Sequence, residues 1–174
     1  MKNNRIRKLC VCGMFSALIF VVTAFVSIPA GVYGNVNLGD AFIIIATFIL
    51  GPYGAICGGL GAMIADLIGA YSVYAPGTLI IKILLSLVCF YAYKGIKKVT
   101  RLDFISKLIG GILGEAVMVL GYFLYECMLY DVTVAIVSIP FNLIQGGVAV
   151  VFGSLISYFL FRSKSISKFL NNLK

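Results

Sequence analysis

Three ionisable residues, Asp66, Lys82 and Glu115, stand inside apolar runs of a 174-residue chain that has only 6 acidic side chains. Placing such a group within a membrane-like interior costs a few kcal/mol, so each calls for a partner or a function. Nucleophilic catalysis is poorly served: histidine is absent, which removes Ser-His-Asp and Cys-His systems and every His-ligated metal site. The 5 cysteines, Cys10, Cys12, Cys57, Cys89 and Cys127, are scattered over different apolar stretches. The Cys10-x-Cys12 pair lacks the further ligands a structural metal needs. No metal, no cofactor and no enzymatic activity are expected. Gly58-Gly59-Leu60-Gly61 matches neither the G-x-x-x-x-G-K-[ST] nor the G-x-G-x-x-G phosphate-binding pattern, and no ATP site is visible elsewhere. A transporter of this sequence would need ion coupling or a separate motor.

The elements that must position these residues are set by composition. Apolar residues make up 61% of the chain and charged ones 11%, and the mean hydropathy is +1.08, beyond the range of an ordinary soluble domain. A spanning helix takes about 20 apolar residues, leaving room for roughly six spans and short loops. They are read at about 9–28, 41–50, 53–70, 78–93, 108–128 and 135–161, all in a single membrane domain over 1–174. The first follows the basic residues Lys2, Arg5, Arg7 and Lys8 but has no small-residue cleavage site, so it reads as a helix rather than a signal peptide. Gly31–Asp40, Tyr71–Gly77 and Tyr130–Val134 are the loops on one side. Lys94–Lys107 is the long charged loop on the other. The N-terminal arm, that loop and the tail from Arg162 hold every Lys and Arg except Lys82, which places all three, and both termini, in the cytoplasm. The expectation is an all-α integral membrane protein, a six-helix bundle in the cell membrane. Its net charge of +8 then reflects cytoplasmic retention and attraction to anionic lipid, with no nucleic-acid partner.

At 1.5 Å per residue, Asp66 and Lys82 fall roughly 6 to 10 Å below the outer surface. Tyr122 and Glu126 on the fifth span and Asn142 and Gln145 on the sixth lie at similar or slightly greater depth. Polar groups from several helices at one level suit an outward-facing pocket with an apolar and aromatic lining, which Tyr33, Asn35, Asn37 and Asp40 could cover. The competing reading is purely structural: Asp66 and Lys82 neutralise each other, while Asn142 and Gln145 bond neighbouring helices. Glu115 lies nearer mid-membrane, where either a proton-coupling carboxylate or a protonated Glu would sit. Small residues at four-residue spacing, among them Gly13 and Ala17, Gly54 and Gly58, and Gly110 and Gly114, let helices approach closely.

The segments GMFSALIF, VNLGDAFI, GPYGAICGGLGAMIADLIGAYSVYAPGTLIIK and PFNLIQGGVAVVFG resemble the membrane-embedded S components of energy-coupling factor (ECF) vitamin importers, in the branch with riboflavin, hydroxymethylpyrimidine and pyridoxine carriers. The resemblance implies a six-helix bundle that captures a vitamin at its outer face and docks on a transmembrane T component driven by two cytoplasmic ATPases. Gly13 and Ala17 occupy the family's docking motif, with Gly in place of the first Ala. The loop from Val32 to Asp40 would close over the ligand, and the pocket would draw on the outer halves of helices four to six. Tyr71, Tyr74, Tyr122 and Tyr125 can stack on a flat ring, while Asn142, Gln145 and Lys82 can meet ring nitrogens or hydroxyls. Asn37, Asp40, Tyr74, Lys82, Tyr122, Asn142 and Gln145 are thus the expected substrate-binding residues. Hydroxymethylpyrimidine or pyridoxine fits this mixture, and riboflavin remains open. Lys82 alone would select an anionic ligand instead, but Asp66 is close enough in depth to cancel it. The rival is a self-sufficient secondary transporter with Glu115 as its proton site. A lipid-directed membrane enzyme is disfavoured, since no carboxylates pair on one helix face at the cytoplasmic interface.

Overall fold

Apolar runs cut by Gly-Pro and Pro-Gly pairs fold as helices joined by tight links, because water-free surroundings demand that backbone groups bond within their own segment. The computed structural model describes residues 2–30, 34–164 and 168. Among these the order is α1 (Lys2–Phe25), β1 (Ser27–Ala30), β2 (Gly34–Asn37), α2 (Gly39–Leu50), α3 (Tyr53–Ile68), a 3-10 turn (Ser72–Tyr74), α4 (Ala75–Thr100), α5 (Asp103–Leu129) and α6 (Val132–Arg162). β1 and β2 pair antiparallel, with Ser27 opposite Asn37 and Ala30 opposite Gly34. Part of the expected outer loop is therefore a hairpin. Tyr33 and most of the basic tail lie outside the described residues.

Several links are shorter than the sequence implies. Lys94–Lys107 is not a loop: α4 runs to Thr100 and α5 starts at Asp103. Arg101 turns the chain with φ 58, its N–H donating to the Lys97 carbonyl at 3.1 Å, and Asp103 holds Lys97 at 2.5 Å and Lys107 at 2.8 Å. Charges expected in solvent are thus absorbed into helix ends. Lys107 is almost fully buried, with its Nζ 4.3 Å from the Phe161 ring centroid. Pro76 in the first turn of α4 is where a helix tolerates proline. Asp131 caps α6 by accepting from the Val134 N–H at 3.0 Å, a bond that holds its carboxyl below the usual range.

α2 is the axis of the bundle. Its 12 residues, GDAFIIIATFIL, are apolar nearly all round, and 10 of them are buried: Gly39, Asp40, Ala41, Ile43, Ile44, Ile45, Ala46, Thr47, Phe48 and Leu50. One face puts Ile43, Ala46 and Leu50 with Ile19, Cys57, Ala62, Ile81, Leu85 and Met118. The opposite face puts Ala41, Ile44 and Phe48 with Cys89, Ala149 and Val150. Helices α1 and α3 thus pack on one side and α6 on the other, with α4 and α5 closing the ring. Gly51, at φ 63, takes the left-handed conformation that turns α2 directly into α3. The outward faces carry Leu84, Leu120, Leu124, Ile144, Phe152 and Phe159, an apolar belt that suits lipid and not water.

The alternating direction of the helices collects the basic residues at one end and the hairpin, the 3-10 turn and the α5–α6 link at the other. Close approach between α4 and α5 depends on Gly114, where an added Cβ would lie 2.9 Å from both the Leu85 carbonyl oxygen and Cys89 Cβ. Gly114→Leu should therefore destabilise the detergent-solubilised protein by roughly 1–3 kcal/mol. Gly95→Ala, where a Cβ meets nothing within 4 Å, should raise stability by about 0.5–1 kcal/mol. Thermal unfolding of both variants checks the packing; equal melting points would contradict it.

Candidate functional site

Polar side chains gather at the hairpin end in a connected series. Asp40 stands in the first turn of α2 and is 1% exposed. Lys82, one-third of the way along α4, places Nζ 2.7 Å from Asp40 Oδ1 and 2.8 Å from Oδ2. Gln145 of α6 donates from Nε2 to Asp40 Oδ2 at 2.6 Å and accepts the Asn37 backbone N–H on Oε1 at 2.9 Å. Asn37 in turn accepts the Gly39 N–H at 2.9 Å, fixing the step from hairpin to helix. The end of β2 is thereby tied to α2, α4 and α6. Such a pair holds inside a bundle only because both charges keep additional polar neighbours.

The series continues through Lys82, whose Nζ lies 5.0 Å from the Tyr122 ring centroid, a cation–π distance. The Tyr122 hydroxyl and Thr78 Oγ1 are 3.0 Å apart, and Thr78 donates to Asp66 Oδ2 at 2.5 Å. Lys82 thus pairs with Asp40 and not with Asp66 as the depth count implied. The reason is tertiary: burial of α2 brings its first turn opposite the second turn of α4, while Thr78, one helical turn nearer the hairpin end, takes the Asp66 carboxylate. A second group surrounds Glu126, which accepts from Tyr74 OH at 3.4 Å and also from Ser138 Oγ. Tyr74 lies between Tyr71, Tyr122, Tyr125 and Tyr130, with ring centroids 6.2 to 6.5 Å away.

Of the residues expected from sequence, Asn37, Asp40, Lys82, Tyr122 and Gln145 meet in one network, and Tyr74 joins it through the Tyr122 ring. Asn142 is half-buried, one turn from Gln145 on α6, and stays outside the bonded series. Gly13 and Ala17 lie far from this cluster on exposed α1. Thr78 and Ser138 escape the sequence reading, and Glu126, placed by it at the depth of the pocket, is not among the expected substrate-binding residues. Their signal was helical spacing: Thr78 precedes Lys82 by four, Glu126 follows Tyr122 by four, and Ser138 precedes Asn142 by four. Among the described residues no group of three His, Cys, Asp or Glu could hold a metal.

A cavity of about 220 Å³ opens beside this network. Its walls are α1, β1, the last turns of α3 and Tyr71, rather than helices four to six, and Asp66 belongs both to the cavity and to the network. Glu115, deeper on α5 and 4% exposed, has no hydrogen-bond partner on either oxygen among the described residues.

The family described as ECF-type riboflavin transporter, S component, matches residues 3–162. The chain belongs to this family. It is similar to the thiamine precursor transporter HmpT of Lactococcus lactis subsp. cremoris (strain MG1363), 30% identical over 97% of this chain and 96% of that one. An uncharacterized protein of Pyrococcus woesei is 32% identical over 82% of this chain and 93% of its own length. In fold it resembles a solved S component of a bacterial ECF transporter, with TM-score 0.63 and 24% identity, over 95% of this chain and 98% of the other. This S component is therefore a membrane-embedded subunit of a transporter for a vitamin or vitamin precursor, not an enzyme. α1, α4, α5 and α6 each contain a stretch long and apolar enough to cross a bilayer.

Removing one member of the buried pair leaves an uncompensated charge in the bundle. Lys82→Met or Asp40→Asn alone should each cost about 3–5 kcal/mol, and the double substitution should recover much of it. A double-mutant cycle on thermal unfolding measures this; additive losses would mean that the two charges do not depend on each other.

Proposed function

We propose that this S component captures a small, uncharged heteroaromatic vitamin or precursor, hydroxymethylpyrimidine or pyridoxine ahead of riboflavin, at its hairpin end. It delivers that ligand to a T component energised by two cytoplasmic ATPases. The observation that carries the reading is the internal compensation of Lys82 by Asp40 beside a cluster of tyrosines. With its charge already answered, Lys82 does not call for an anionic ligand, while aromatic rings and amide groups recognise a flat polar molecule. The likeness to a thiamine precursor transporter supports the pyrimidine. The single domain crosses the cell membrane six times, with α2, about 18 Å long, enclosed by the other helices and α3, about 24 Å long, packed between α1 and α4. Both termini are cytoplasmic, because the basic end is the side on which Lys and Arg are retained. Asn37, Asp40, Tyr74, Lys82, Tyr122, Asn142 and Gln145 form the binding surface, with the hairpin segment as its cover. Asn142, half-buried and outside the bonded series, has its amide available for a ring nitrogen or hydroxyl. Glu115 favours a second reading, a proton-coupled carrier, since its carboxyl is buried with no hydrogen-bond partner among the described residues; uptake that collapses with an uncoupler and ignores the ATPases would select it.

Native mass spectrometry of the detergent-purified protein, competed with hydroxymethylpyrimidine, pyridoxine and riboflavin, tests the ligand. A retained mass displaced by the first or second is expected, and a protein indifferent to all three would reject the reading. Asn142→Ala should weaken binding by roughly 1 to 3 kcal/mol. Docking is tested on α1. Gly13 is exposed and a Cβ there meets nothing within 4 Å, so Gly13→Leu leaves the fold intact. That change, or Ala17→Leu, should abolish uptake with ligand affinity preserved; a fall in affinity would count against a docking role.

A further inference from the structure

We propose that the cavity walled by α1, β1 and the end of α3 is a lipid site, in which Asp66 seats the primary ammonium of an ethanolamine phospholipid from the leaflet at the hairpin end. The site is separate from the vitamin-binding surface and stands or falls without it. Its volume of about 220 Å³ suits one small headgroup. Asp66 lies two residues before the end of α3, about 3 Å along the helix axis. That depth puts its carboxylate near the polar boundary of a bilayer, where headgroups and not acyl chains lie.

The carboxylate has an oxygen to offer. Thr78 donates to Oδ2. Among the described residues nothing bonds Oδ1, yet Oδ1 is not one of the buried polar atoms left without a partner, so it is open, on the cavity that Asp66 lines. A carboxylate accepts and cannot donate. No Lys or Arg is among the wall residues, and the buried cation of this end, Lys82, is committed to Asp40. The complement of this wall is therefore a cationic donor from outside the chain. Phe20, Phe25 and Tyr71 border the same space, and aromatic rings attract a cation but not a phosphate.

The rim points to a lipid as the source of that cation. Phe25 and Ile68 are wall residues and are 75% and 72% exposed, while Ile28 and Leu67 beside them are exposed too, apolar surface against which glycerol and the upper acyl chain can lie. Charge then sorts the lipids. The hairpin end holds no Lys or Arg besides buried Lys82, and Asp131 is exposed there, so an anionic headgroup finds no counter-charge. A primary ammonium brings three N–H donors to the carboxylate, and charge-assisted bonds of this kind are among the stronger ones. The trimethylammonium of a choline lipid has no such donor.

The test is native mass spectrometry of the delipidated full-length protein in detergent, titrated separately with the palmitoyl-oleoyl phosphatidylethanolamine, phosphatidylcholine and phosphatidylglycerol. Half-occupancy by the ethanolamine lipid is expected at a concentration about fivefold or more below that of the choline lipid. Asp66→Asn should bring the two together. Ala70→Trp, at an exposed wall position, keeps the carboxylate but obstructs the cavity, and should cause the same loss; it decides alone if Asp66→Asn fails to fold. Binding of the glycerol lipid should be indifferent to both changes. Equal affinity for the ethanolamine and choline lipids, or a preference that survives either folded variant, would overturn the site. Displacement of the bound lipid by equimolar free ethanolamine would make a soluble amine the ligand and overturn the lipid assignment.

Discussion

A lysine and an aspartate buried against each other in an apolar bundle set the terms for everything at the hairpin end. Asp40 and Lys82 are each almost fully buried, and neither could be accommodated there without the other. Their attraction fixes the start of α2 against α4. Gln145 adds α6 by bonding the same carboxylate, and its carbonyl takes the Asn37 N–H of the hairpin. One charge pair thus specifies where three helices and a strand meet. A bundle held by apolar contacts alone would have far less reason to choose this register, since lipid is as good a partner for leucine as another helix is.

The remainder of the fold serves this arrangement by close packing. α2 is short and apolar on all sides, so it can be surrounded, and its two faces join two clusters into one interior. Glycines at contact points shorten the distance between helices, which brings side chains from α3, α4, α5 and α6 within hydrogen-bond reach of one another. At the opposite end Asp103 gathers Lys97 and Lys107 with Tyr93. Charge there is bound into helix ends, while the hairpin end is nearly free of exposed cations. The two ends differ as the two faces of a membrane differ.

Family membership and geometry bear on different questions. Membership identifies a transporter subunit, and the likeness to a solved S component extends over almost the whole chain. Ligand choice depends on a handful of side chains carried by a common scaffold. In the proposed reading those are the compensated lysine and the tyrosines around Tyr74, a combination that suits a neutral flat ring.

Much of this was legible in the sequence, for definite reasons. Hydropathy located the helices because a spanning segment must be apolar along its length, and the sorting of Lys and Arg followed from alternation of direction. Helical depth placed Lys82, Tyr122 and Gln145 at one level, because rise per residue is fixed. The partner of Lys82 was not legible. Depth ranked Asp66 as its counter-ion, but depth carries no azimuth, and only the burial of α2 turned Asp40 toward Lys82. The supposed charged loop failed for a related reason: a Lys-rich stretch looks solvated until Asp103 supplies an internal partner for it. Sequence thus determined which segments are apolar helices and which residues are costly to bury. Tertiary structure decided which of those residues neutralise one another, because that depends on helix rotation and close packing, to which a one-dimensional pattern is blind.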